Sequence, residues 1–359
     1  MSEQGRTSGA TSGQQTSGQQ TSGEAPGARA PERAPAGPEP SRAVRLLFEG
    51  GVGRNMGLVA VLVLLAVVGV VTAPQTFPTV SNLLTVLTSA SIIGVLTVGV
   101  TFVIIGGGID LSVGKVMALA SVWATTVATQ SFGWVVMIFC ALAVGVGAGL
   151  VNGVLIAYGR IVPFIATLAM LISAQGLAEL ISGRRSQIVT DPVIAAIAST
   201  RILGIPLLVY IFAVVIAVGW VVLNRTTFGR RTFAIGGNPE AARLAGVDVR
   251  RHTVLLYVLS GLCCGIAAIM IASLTTTGSS THGTLYELDA IAAVIIGGTL
   301  LTGGRGTLIG SILGVLVFTV ITNLFVLNNL AIEVQNIAKG AIIVVAVLIQ
   351  ARARRSSTT

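Results

Sequence analysis

Residues 55–109 read NMGLVAVLVLLAVVGVVTAPQTFPTVSNLLTVLTSASIIGVLTVGVTFVIIGGGI, without one Asp, Glu, Lys or Arg. A membrane crossing by a helix needs about 20 mainly apolar residues. This run therefore holds two crossings, with a break around Pro74 and Pro78. Further charge-free stretches cover 116–159, 161–178, 202–224, 253–286, 290–304 and 306–332. Broken at Pro, Gly, Asn and Ser, they predict about ten spans. These lie near 56–73, 83–105, 112–129, 133–157, 162–182, 204–223, 253–273, 286–300, 306–327 and 334–351. No comparable alternation of apolar and polar residues points to a membrane barrel. The expected fold is an all-α polytopic membrane protein.

Composition agrees. Of 359 residues 53% are hydrophobic and only 10% charged, against about one quarter charged in a soluble domain. Mean hydropathy is +0.90. These values exclude an ordinary globular enzyme. The net charge of +9 is dispersed rather than clustered, which excludes a nucleic-acid surface. Cys140, Cys263 and Cys264 lie within apolar runs and suggest neither disulfides nor a metal site.

Residues 1–41 differ from the rest. The triplet TSG recurs at Thr7, Thr11, Thr16 and Thr21, and then Pro, Ala and Glu take over. Such a segment cannot bury enough apolar surface to offset its chain entropy and is expected to be disordered. It lacks the short apolar core and cleavage site of a signal peptide. With the N-terminus inside, 15 Lys and Arg fall on the cytoplasmic side and 3 outside, which predicts N-in and C-in. Lys339 stands apart, a turn or two inside the last span, where snorkelling would account for it.

Two patterns run along the spans. Ala141, Gly145, Gly149 and Gly153 recur every four residues, as do Gly306, Gly310 and Gly314. Each set makes a ridge of small residues that lets a second helix approach, within the chain or in a second subunit. Ile105-Gly106-Gly107 and Ile296-Gly297-Gly298 form a short internal repeat of the kind transporters show.

Motifs for chemistry are missing. Gly108 to Lys115 resembles a phosphate loop, but five residues separate its glycines and Val116 stands where Ser or Thr would bind magnesium. No catalytic carboxylate pair, nucleophile elbow or metal-ligand spacing occurs. No catalytic or metal residue and no bound cofactor are expected.

The charged loop 225–251 is the most informative segment. Asn238 is suited to N-cap a short helix, Pro239 to its first position and Glu240 to its positive end. Ala241, Ala242, Arg243, Leu244 and Ala245 favour helix, and Gly246 suits the left-handed residue that stops it. A two-turn helix is marginal alone, so it requires packing against the chain's own helices or a partner.

Glu240-Ala-Ala followed by Gly246 is similar to the coupling loop of ABC importer permeases, and Gly229 to Val247 resembles that of the ribose/xylose/galactose type. Thr101–Gly114, Asn152 to Ile156 with Pro163–Leu168, and Glu287–Gly306 agree with the same family in the same order. The resemblance spans about residues 45–351. It implies a plasma-membrane permease that pairs with a second copy or a paralogue. Cytoplasmic ATPase subunits would bind ATP and magnesium, and an extracytoplasmic sugar-binding protein would deliver cargo. Asn238, Pro239, Glu240, Ala241, Ala242, Arg243, Leu244 and Gly246 would couple the permease to the ATPase. Asp110, Ser112, Gly114 and Arg305 mark the family's hallmark turn.

Asp110 either caps the third span with Ser112 or ties that turn to Arg305 or Lys115. Thr97, Thr101, Asn152, Gln175 and Asn323 are candidates for a sugar path, with Glu179 near the outer end; polar residues in spans also hold helices together. A secondary transporter would need charge within the span centres, which are nearly bare of it. A channel would need no docking helix. A permease for nucleosides, branched-chain amino acids or a sugar-derived signal is the nearest competitor.

Overall fold

A computed structural model describes residues 51–355, so the tail 1–41 lies outside the described residues. The helices are α1 Gly51–Thr72, α2 Val80–Ile105, α3 Val113–Ala124, α4 Val127–Gln130, α5 Trp134–Ala157, α6 Pro163–Ser182, α7 Pro192–Ser199, α8 Leu207–Arg225, α9 Thr227–Gly237, α10 Pro239–Leu244, α11 Val249–Thr275, α12 Tyr286–Ile296, α13 Leu308–Leu327 and α14 Ile332–Arg355. Two-residue strands form two antiparallel pairs, β1 Gln187–Ile188 with β4 Thr277–Gly278, and β2 Arg201–Ile202 with β3 Ile205–Pro206.

Among the described residues seven helices are long and apolar enough to cross a membrane: α1 from Asn55, α2, α5, α6, α8, α11 and α13. Two of the ten expected spans are not full crossings. Span 112–129 is the 12-residue α3 followed by the four-residue α4, and 286–300 contains the 11-residue α12. At about 1.5 Å per residue these helices reach about 18 and 17 Å, against a hydrocarbon core of about 30 Å. Hydropathy passes over the reason. The segments before them are apolar or rich in Gly, Ser and Thr, yet Gly107, Thr276, Gly283 and Leu285 have positive φ and interrupt any helix. The final expected span, 334–351, falls in α14, which carries Glu333 and Lys339 and is not one of the seven.

The two short helices are placed as halves. Asp110, just before α3, bonds to Ser260, which lies 11 residues into α11, about 17 Å along it. From there α3 runs to Thr125, whose Oγ1 donates to Gln187 Oε1 at 3.0 Å. The start of α12 packs beside Gly114, and the turn after α12 returns to Ile105 at the end of α2. The half-helices therefore run in opposite directions, with their N-termini together at half the height of α11.

Both ridges of small residues pack within this chain. Gly145, Gly149 and Gly153 of α5 face Gly261, Tyr257 and Val254 of α11, leaving no room for a side chain. Gly310 and Gly314 of α13 face Gly297 and Ala293. Close backbone approach stands in for the hydrophobic drive that lipid does not supply. Phe102, Ile104, Met117, Tyr257 and Met270 fill the centre where α2, α3 and α11 meet.

Candidate functional site

The helix foreseen in the charged loop is present. Asn238 Oδ1 accepts from the amides of Glu240 and Ala241 at 3.1 and 3.0 Å, with Pro239 at the first position. Its far end closes in a double turn: Gly246 N–H donates to Arg243 O and Val247 N–H to Ala242 O, each at 3.0 Å, with Gly246 at φ +82°. Ala242 alone is buried. Arg243 Nη2 lies 2.6 Å from Glu240 Oε1, and Leu244 is 77% exposed. The guanidinium of Arg243 holds the Glu240 carboxyl below the ordinary carboxylate range. This helix presents a fixed, ionised and partly apolar surface.

α10 follows directly from α9, whose Thr232 and Ile235 are buried. Thr232 Oγ1 meets His252 Nε2 at 2.8 Å, and the His252 ring lies 4.4 Å from that of Phe228. The last residues of α9 join a junction built of glycine. Gly304 N–H donates to Ile105 O at 2.8 Å. A Cβ on Gly236 would collide with that same carbonyl, and one on Gly303 would come within 2.8 Å of Gly107 Cα. Three segments that the sequence separates, at the ends of α2, α9 and α12, thus meet backbone to backbone beside α10. The Ile-Gly-Gly repeat is also geometric. Gly107 bonds to Ile104 and Gly108 to Val103, as Gly298 bonds to Ile295 and Thr299 to Val294. Both runs end their helices with the same turn.

Asp110 takes up neither sequence reading in full. It is buried, and Oδ1 accepts from Ser112 N and Ser112 Oγ at 3.0 and 2.6 Å, one residue before the helix. Oδ2 accepts from Ser260 Oγ of α11 at 2.8 Å. Asn152 of α5 donates to Ser112 Oγ at 3.0 Å, and Tyr257 Oη donates to Ile109 O at 3.2 Å. The carboxylate ties the pre-α3 turn to α11, and through Ser112 to α5. Among the described residues Asp110 forms no ion pair with Lys115 or Arg305; Arg305 is exposed beside the glycine junction.

The remaining candidates fall in separate places. Thr97 and Thr101 are buried and donate to carbonyls of their own helix, Ile93 and Thr97. Asn323 exchanges hydrogen bonds with Asn82 at 2.8 and 3.2 Å, joining α13 to α2. Gln175 donates to Glu179 Oε1 at 2.5 Å, and Glu179 pairs with Arg184. Sequence reasoning missed two groups. Lys339 is paired with Asp289 at 3.1 Å rather than snorkelling. Glu287 is brought against Gly114, which no spacing within either segment could signal.

A bundle of apolar helices, two antiparallel half-helices and a capped helix outside the apolar spans define a polytopic membrane transport protein. Residues 82–347 match the family described as branched-chain amino acid transport system / permease component, and the chain belongs to that family. It is similar to the ribose import permease protein RbsC of Escherichia coli K12, 36% identical over 81% of this chain and 92% of that one. The ribose permease of Bacillus subtilis 168 is 35% identical over 85% and 95% of the two chains. The galactose/methyl galactoside import permease MglC of E. coli K12 is 36% identical over 84% and 93%. The relatives are permease subunits rather than enzymes, and the chain is a multi-pass plasma-membrane protein of that kind. No solved structure matches it.

Proposed function

We infer that this chain is the membrane-spanning subunit of an importer for a monosaccharide, driven by separate ATPase subunits. The observation that carries this reading is the face of α10: Leu244, 77% exposed, beside the ion pair of Glu240 and Arg243 on a helix capped at both ends. An exposed leucine on so short and fixed a helix suits the cleft of a protein partner. The relatives named for ribose and galactose supply the cargo class.

On this reading residues 42–355 form the permease and 1–41 a dispensable tail. Loop 225–251 faces the cytoplasm, both ends of the chain lie inside, and about ten segments enter the bilayer when α3, α12 and α14 join the seven long helices. A second permease copy or paralogue completes the path, and a binding protein delivers sugar from outside. Closure of the ATPase pair on ATP and magnesium shifts α10, and access alternates between the two sides. Asn238 to Gly246 form the coupling element. Asp110, Ser112, Gly114 and Arg305 belong to the hallmark turn, with the path drawn from Thr97, Thr101, Asn152, Gln175 and Asn323. A second reading, favoured by the wording of the family description, is import of a branched-chain amino acid.

The test is co-purification with the ATPase. Leu244→Asp is expected to leave membrane yield unchanged and to weaken ATPase capture strongly. Wild-type capture by that variant would remove α10 as the docking element.

A further inference from the structure

The point at which the two half-helices begin is polar and charged. Lys115, in the first turn of α3, is half-buried and donates from Nζ to Thr284 Oγ1 at 3.0 Å. Thr284 is exposed and donates its own hydroxyl proton to Thr281 O at 2.8 Å, which orients it toward the ammonium. Glu287, in the first turn of α12, is 7% exposed, and its Oε2 has no hydrogen-bond partner among the described residues. That oxygen lies against Gly114, where a Cβ would collide with it. Lys115 interacts electrostatically with both Glu287 and Glu179.

The cluster begins where the half-helices start and opens toward the C-terminal ends of α6 and α11: Lys115 reaches toward Glu179 in the last turn of α6, and His282, two residues before Thr284, contacts Thr275 at the end of α11. A buried carboxylate oxygen without a donor is costly, and its persistence calls for a partner that arrives from elsewhere. A charged group within a membrane bundle faces the bundle interior or an aqueous path rather than lipid. Both half-helices also begin here, so the positive ends of their dipoles lie beside this cluster. Broken helices that meet in this way are how membrane transporters build solute sites.

We propose that Lys115 and Glu287 form a contact within the bundle for the hydroxyl groups of a neutral polyol in transit, with Thr284 as the residue that positions Lys115. Glu287 accepts from one hydroxyl and Lys115 donates to its neighbour, so two adjacent ring hydroxyls are read together. No covalent step is involved. The inference rests on the sugar-import reading and names the residues that would act on the cargo within it.

The test uses the full chain with its ATPase and binding protein in proteoliposomes, at saturating sugar-loaded binding protein so that delivery does not limit the rate. The probes are ribose, galactose and their monodeoxy analogues. In the wild type, the analogue that lacks the contacted hydroxyl is expected to move about tenfold or more slowly. In Glu287→Gln and in Lys115→Met the parent sugar slows comparably, and its advantage over that analogue falls to about twofold or less. If Glu287→Gln does not fold, the half-buried Lys115→Met and Lys115→Gln carry the same comparison. Variants that transport and keep the wild-type ratio for every analogue would overturn the contact alone. A wild-type complex that moves neither sugar would overturn the sugar-import reading and the contact together.

Discussion

Lys339 Nζ stands 3.1 Å from Asp289 Oδ2, joining the last helix α14 to the half-helix α12, with the two side chains 17% and 6% exposed. The ammonium also lies 5.4 Å from the centre of the Phe318 ring. Removal of one partner from such a pair strands the other charge. Asp289→Ala is expected to cost about 3–5 kcal/mol in thermal unfolding of the detergent-solubilised protein. Asp289→Leu combined with Lys339→Met should recover most of the loss, while Glu333→Ala, on an exposed side chain, should change little.

The glycine junction makes a paired prediction. A Cβ on Gly236 would collide with the Ile105 carbonyl oxygen and come within 2.5 Å of the Gly304 amide nitrogen, the two ends of one hydrogen bond. Gly237 has open space at its Cβ position. Gly236→Ala is expected to lower stability by about 1–3 kcal/mol, read as a lower thermal midpoint and yield. Gly237→Ala should match or slightly exceed the wild type.

What the sequence revealed and what it concealed divide along the range of the forces. The caps of α10 were legible because Asn238 and Gly246 act within a few residues of their own positions. The ridges on α5 and α13 were legible because a four-residue period puts them on one face. The half-helices were not, since the segments before α3 and α12 are as apolar or as small as a span. Asp110 with Ser260, Glu287 with Gly114 and Lys339 with Asp289 were not legible either. Each joins residues that only the packed bundle brings together, and no local spacing records them.

At Gly246, φ of +82° imposes strain on any side chain although nothing lies within 4 Å of its Cβ position. Gly246→Ala should cost about 1 kcal/mol locally, which loosens the end of α10 without touching the bundle. The expected pattern is normal membrane yield with weaker ATPase capture. Gly246→Leu and Glu240→Lys should show the same pattern more strongly, the latter by placing a cation at the positive helix end beside Arg243.

The Glu240–Arg243 pair sets a pH expectation. Its carboxyl is held below the ordinary range by Arg243, so its contribution is present at neutral pH and fades only as pH falls through the lowered value. ATPase capture should therefore show no step assignable to Glu240 between about pH 8 and about pH 6, and Glu240→Gln should give a parallel, weaker profile. A step in the wild type that Glu240→Gln abolishes would contradict this.

The most direct measurement is uptake of labelled ribose and galactose into proteoliposomes holding this chain, assayed with and without its ATPase subunits, its binding protein and ATP. The expected result is sugar accumulation only when all are present, and none from the permease alone under a proton or sodium gradient. Accumulation driven by an ion gradient without the ATPase, or ATP-driven uptake of a branched-chain amino acid with neither sugar moved, would contradict it.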